Sequence, residues 1–152
     1  MRNMTELPQY MEFGECLARG DLVAAIRCLD ECYTIVRSEG DDVACARLIQ
    51  YKGNLLYQSG DLQAAKRSYQ QACEHANSHP IVMMAYARFL GTVGEYDEAH
   101  SLLLQLELLL PNIQPREGEY SLSAYQERIE EIRELIKKSA GVLAYQPSAT
   151  ES

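Results

Sequence analysis

Three glycines set the plan of this chain. Gly20, Gly60 and Gly94 each open the same word: Gly, an acid, Leu or Tyr, two residues, Ala. The copies read Gly20-Asp21-Leu22-Val23-Ala24-Ala25, Gly60-Asp61-Leu62-Gln63-Ala64-Ala65 and Gly94-Glu95-Tyr96-Asp97-Glu98-Ala99. Glycine lets the chain reverse without strain. The acid caps the next helix and complements the positive end of its dipole. The large residue fills the gap between two helices, and the alanine lets their backbones approach. A chain punctuated in this way folds as antiparallel helix pairs.

The apolar spacing between these words is helical. Thr5 is expected to cap a first helix from Glu6, and Asp21 a second with the stripe Leu22, Ala25, Ile26, Leu29, Cys32, Tyr33 and Val36. Residues 38–42 read as a polar loop. A third helix over about 43–59 turns Ala46, Ile49, Gly53, Leu56 and Tyr57 inward, and Asp61 caps a fourth from Leu62 to about 76. Pro80 suits the first turn of a fifth helix, with Met83, Met84, Ala87 and Leu90 inward. The sixth starts at Tyr96 and carries Ala99, Leu102, Leu103, Leu106 and Leu110. After a loop at 111–120, Ser123-Ala124-Tyr125-Gln126 fits a capping box for a last helix that Gly141 stops. Leu122, Tyr125, Ile129, Ile132 and Ile136 share one face of it.

Gly60 and Gly94 stand 34 positions apart, and a tetratricopeptide repeat has a period of about 34 residues. The Gly20 to Gly60 interval is 40, which a longer second helix and the loop at 38–42 accommodate. Over roughly residues 7–110 the chain resembles the tetratricopeptide repeat family. Gly53, Gly60, Leu62, Ala65, Tyr69 and Ala72 stand in family-like places in the best copy. The resemblance implies an all-α fold: a right-handed superhelix of three antiparallel helix pairs plus a capping helix. The implied layout is a single domain over 1–140, with repeats at about 5–38, 43–78 and 79–110, a capping helix at about 121–139 and a flexible tail at 141–152.

In this family the first helices of successive repeats line a concave groove. Carried over, that geometry places Tyr10, Arg47, Gln50, Asn54, Tyr57, Met84 and Arg88 on the partner-binding surface. Aromatic rings and guanidinium groups anchor, and amides bond to a peptide backbone. A carboxylate clamp is not expected. Only Asn54 and Arg88 resemble one, and Tyr10 and Ile81 stand where its lysines would be. The implied function is a non-catalytic interaction module, an adaptor, co-chaperone or assembly factor for a protein or peptide partner. The alternatives are a regulatory or structural subunit, or a secretion-type chaperone, acting through the convex or Leu-rich surface.

The remaining composition narrows the classes. The net charge of −8 argues against nucleic-acid binding and an anionic membrane surface, which both reward a basic face. The longest apolar stretch, residues 102–110, is too short to span a bilayer. Within it Leu104 and Leu108 lie off the main stripe. Burial under the final helix is the expectation for them, and an interface to a partner or a second copy is the alternative. Five cysteines match no paired framework, and no cleavable leader is evident, so a cytoplasmic setting is expected. Cys28 and Cys32 share a helix face at the spacing of a metal pair, but no second ligand pair follows and core packing is expected of them. No phosphate loop, dinucleotide fingerprint or nucleophile motif is present, so no catalytic residue, metal or cofactor is expected.

Overall fold

The computed structural model describes residues 3–75, 79–113 and 120–144. All secondary structure among them is helical. Seven α-helices follow in order: α1 (Pro8–Ala18), α2 (Leu22–Ser38), α3 (Asp42–Gln58), α4 (Leu62–His75), α5 (Pro80–Thr92), α6 (Tyr96–Leu109) and α7 (Leu122–Ala144). Short 3₁₀ turns stand at Met4–Glu6 and Leu110–Asn112. The chain forms two compact units, Met1–Val82 and Met83–Ser152.

The glycine and alanine positions of the words behave as expected, with Ala25, Ala65 and Ala99 fully buried, but Leu62 is 46% exposed and does not fill a gap between helices. Gly20, Gly60 and Gly94 have φ of 74°, 88° and 89°, in the left-handed region. At the first turn the Gly20 amide donates to the Leu17 carbonyl and the Asp21 amide to the Cys16 carbonyl. That is a Schellman ending, and it satisfies carbonyls the helix leaves open. Asp21 then starts the next helix, its Oδ1 accepting from the Ala24 amide at 3.1 Å. One residue therefore ends α1 and begins α2, which fixes the reversal. Asp61 repeats the cap with Ala64 at 3.1 Å. Glu95 differs, because its side chain makes no capping bond to α6.

A further word was not expected. Gly40 has φ of 74°, and Asp41 Oδ1 accepts from the Ala44 amide at 3.0 Å. The polar loop is thus a Gly-Asp turn of the same kind, joining α2 to α3. The longer first interval comes from the 17-residue α2 and α3.

Three helix ends differ from expectation. Asn3, not Thr5, caps the first turn, and α1 begins only at Pro8. Ser121, not Ser123, accepts from the Ala124 amide at the start of α7. Gly141 does not stop α7, which continues to Ala144. The expected tail beyond residue 144 lies outside the described residues.

In unit 1, α1 packs on α2, α2 on α3, and α3 on α4. Helix α3 is covered on two sides. It therefore buries Leu48 and Leu55 as well as Ala46, Ile49 and Gly53. Gly53 is the point of closest approach to α4: a Cβ there would lie 3.1 Å from Cζ of Tyr69. In unit 2, α7 buries Tyr125, Ile129, Ile132 and Ile136. Ile136 sits over Gly91 of α5, where a Cβ would meet its Cγ1 at 2.7 Å. Glu107 and Arg133 form an ion pair between α6 and α7, and the Tyr86 hydroxyl donates to Glu98 across α5 and α6 at 2.9 Å. The expected burial of Leu104 and Leu108 does not occur. They are 59% and 77% exposed, whereas Leu103, Leu106 and Leu110 are buried.

Candidate functional site

Helix α3 sets Arg47, Gln50 and Asn54 on one side, at spacings of three and four residues. Tyr51 lies one turn from Arg47. The Arg47 guanidinium sits 5.4 Å from the Tyr51 ring centroid, and its Nη2 donates to the Tyr51 hydroxyl at 2.9 Å. Across the helix boundary Phe13 of α1 stacks on Tyr51, with centroids 6.4 Å apart and planes at 12°. Tyr10 tilts against Phe13 at 5.6 Å. Burial, and then the neighbouring Tyr51 hydroxyl, pushes the Tyr10 phenol above its ordinary range. Tyr10, Phe13, Tyr51 and Arg47 thus form one continuous aromatic and cationic cluster joining α1 and α3.

Two polar atoms beside this cluster are buried without a hydrogen-bond partner among the described residues, Arg47 Nε and Gln50 Oε1. Gln50 is only 8% exposed. Such an atom forfeits hydrogen bonds that it had in water, so a ligand that supplies them is favoured. Asn54 is already engaged, because its Oδ1 accepts from the Tyr69 hydroxyl of α4. Tyr57 is exposed at the end of α3.

The two candidates on α5 part company. Arg88 is exposed, whereas Met84 is 7% exposed and belongs to the packing of its helix. Tyr51 and Phe13 belong to the cluster but were not among the residues expected from the sequence. The available signal was the four-residue step from Arg47, which places a ring under a guanidinium.

A second polar chain crosses unit 1. The Tyr33 hydroxyl pairs with His75 Nε2 at 2.9 Å, and His75 Nδ1 with Asp42 Oδ1 at 3.0 Å. The two rings meet edge to face at 5.6 Å. This links α2, α4 and the first turn of α3. Its effect is to tie three helices together.

The repeat geometry can now be set against known proteins. Residues 56–116 match the family model described as tetratricopeptide repeat. That stretch is similar to a tetratricopeptide repeat. Tetratricopeptide repeats generally mediate protein–protein interactions. No curated protein and no solved structure matches the chain. No helix among the described residues is long and apolar enough to cross a membrane.

Proposed function

We propose that this chain is a non-catalytic adaptor, co-chaperone or assembly factor that holds a peptide segment of a partner against α1 and α3. The observation that carries the reading is the buried, unbonded Gln50 Oε1 and Arg47 Nε beside the Tyr10–Phe13–Tyr51 stack. An extended backbone offers an N–H to the amide oxygen and a C=O to the guanidinium. The stacked rings offer flat apolar area at little entropic cost. The setting proposed is cytoplasmic.

A peptide library displayed on phage and selected against the full chain supplies the probe. Selected peptides should lose binding to Arg47→Met and Tyr57→Ala while circular dichroism stays unchanged. Peptides that ignore both substitutions would overturn the assignment.

A second reading rests on Leu104 and Leu108, both strongly exposed on α6. A regulatory or structural subunit, a secretion-type chaperone or a homo-oligomer would cover them. Binding lost on Leu108→Glu but kept on Arg47→Met would favour that reading.

A further inference from the structure

Helices α1 and α2 bring an acid and two thiols to one place. Glu12 and Cys16 stand one turn apart on α1, and Cys28 faces them from α2. The Glu12 carboxylate oxygen and the two sulfurs all lie within 4.8 Å of one another. We propose that Glu12, Cys16 and Cys28 form a binding site for a thiophilic divalent cation, zinc by preference, that pins α1 to α2.

The geometry is close to what the ion needs. Tetrahedral zinc, with Zn–S near 2.3 Å and Zn–O near 2.0–2.2 Å, places its ligand atoms about 3.5–3.8 Å apart. The three atoms need contract by about 1.3 Å at most, within reach of rotamer adjustment. Two thiolates and a carboxylate leave the complex with a single negative charge. Arg19 answers it, since its Nη2 already donates to Cys16 Sγ at 3.4 Å. Oxygen-preferring cations such as magnesium and calcium are poorly served by sulfur, and an iron–sulfur cluster needs more thiolates than this pair offers.

The competing interactions are weak or compatible. Arg27 Nη2 approaches Glu12 at 3.8 Å and Glu31 at a similar distance through Nε, with both partners about half exposed. A solvent-exposed pair of this kind is worth little and yields to a metal. Burial, and then a hydrogen bond with the Cys16 thiol, holds Cys28 above the ordinary thiol range. Binding replaces two S–H bonds by two Zn–S bonds, adds one Zn–O bond to Glu12, and sends both protons to solvent. Water fills the fourth position. Glu12 is exposed and marks the entry, and the sulfurs are reached by local opening of α1.

The test is zinc titration of the reduced, metal-free full chain, with the bound metal counted and cobalt as a spectroscopic substitute. The expected result is one zinc per chain, a thiolate-to-cobalt charge-transfer band, and a melting temperature that rises with zinc. Cys28→Ala should abolish all three. Glu12→Gln changes an exposed side chain, leaves the fold intact, and should weaken zinc by about tenfold or more. Cys73→Ala should change nothing. The proposal is overturned if the native chain binds no zinc at micromolar concentrations, if Glu12→Gln binds as the native chain does, or if Cys73→Ala removes the metal.

Discussion

The Tyr69 hydroxyl of α4 donates a hydrogen bond to Asn54 Oδ1 of α3, at the point where Gly53 lets the Tyr69 ring come closest. Tyr69 is 3% exposed. An amide expected to face a partner therefore also anchors the helix pair. Asn54→Ala should cost about 1–3 kcal/mol, because it strands a buried hydroxyl, and Tyr69→Phe about 1 kcal/mol. Urea denaturation of both single variants and the double should show a double variant well short of the sum. Strict additivity would mean that the bond contributes nothing. Asn54→Ala is for the same reason a poor probe of binding, and Arg47 and Tyr57 are better ones.

Glycine-to-alanine substitutions should separate by sign. Gly14 has nothing within 4 Å of an added Cβ, so Gly14→Ala should stabilise by about 0.5–1 kcal/mol. Gly53→Ala meets a ring held in place by its own hydrogen bond, and crowding should outweigh the gain in helix propensity by about 1 kcal/mol. Gly91→Ala meets Ile136 more closely and should cost about 1–3 kcal/mol. Thermal melts of the three variants check the order.

Much of this was legible. Gly20, Gly60 and Gly94 announced their turns because an acid and a large residue follow each of them. Gly40 escaped because Asp41 is followed by Asp42, which removes the apolar signal although the capping chemistry is unchanged. Leu48 and Leu55 escaped because a single stripe was read on α3, whereas α2 and α4 cover it from two sides. Leu104 and Leu108 were assigned to the core because sequence gives the width of an apolar face but not which part a later helix will cover. The proposed binding face could be read from the sequence only in part. Arg47, Gln50 and Tyr10 follow from repeat register, but the Phe13–Tyr51 stack depends on how α1 meets α3, which no local pattern encodes. Glu12 and Cys28 likewise meet only through the turn at Gly20.

Alkaline pH should destabilise the fold in two windows. Burial pushes Cys32 from an ordinary value near 9 up to about 11, and Tyr69 from near 10 up to about 12. A folded-state pKa above the unfolded one means that the proton is held more tightly in the fold. The stabilisation is complete below the unfolded value and is lost as pH rises through the folded one. Stability should fall between about pH 9 and 11 from Cys32, and between 10 and 12 from Tyr69, by at most about 1.4 kcal/mol per pH unit per group. Cys73, which burial also pushes up to about 11, contributes to the first window, so Cys32→Ala should reduce the fall there rather than remove it in urea titrations made at stepped pH. An unchanged slope would remove Cys32 from the account.

Leu104→Glu and Leu108→Glu should leave the melting temperature within a degree or two, since exposed substitutions stay within about 0.5 kcal/mol. A large fall would show these leucines buried by a second copy, and sedimentation at several concentrations would identify it.

The central claim is that a peptide docks on the α1 and α3 face. The most direct measurement is backbone amide NMR of the full chain titrated with a library-selected peptide. The account predicts that shifts concentrate at Tyr10, Arg47, Gln50, Tyr51 and Tyr57. Shifts gathered around Leu104 and Leu108, with α1 and α3 unmoved, would contradict it.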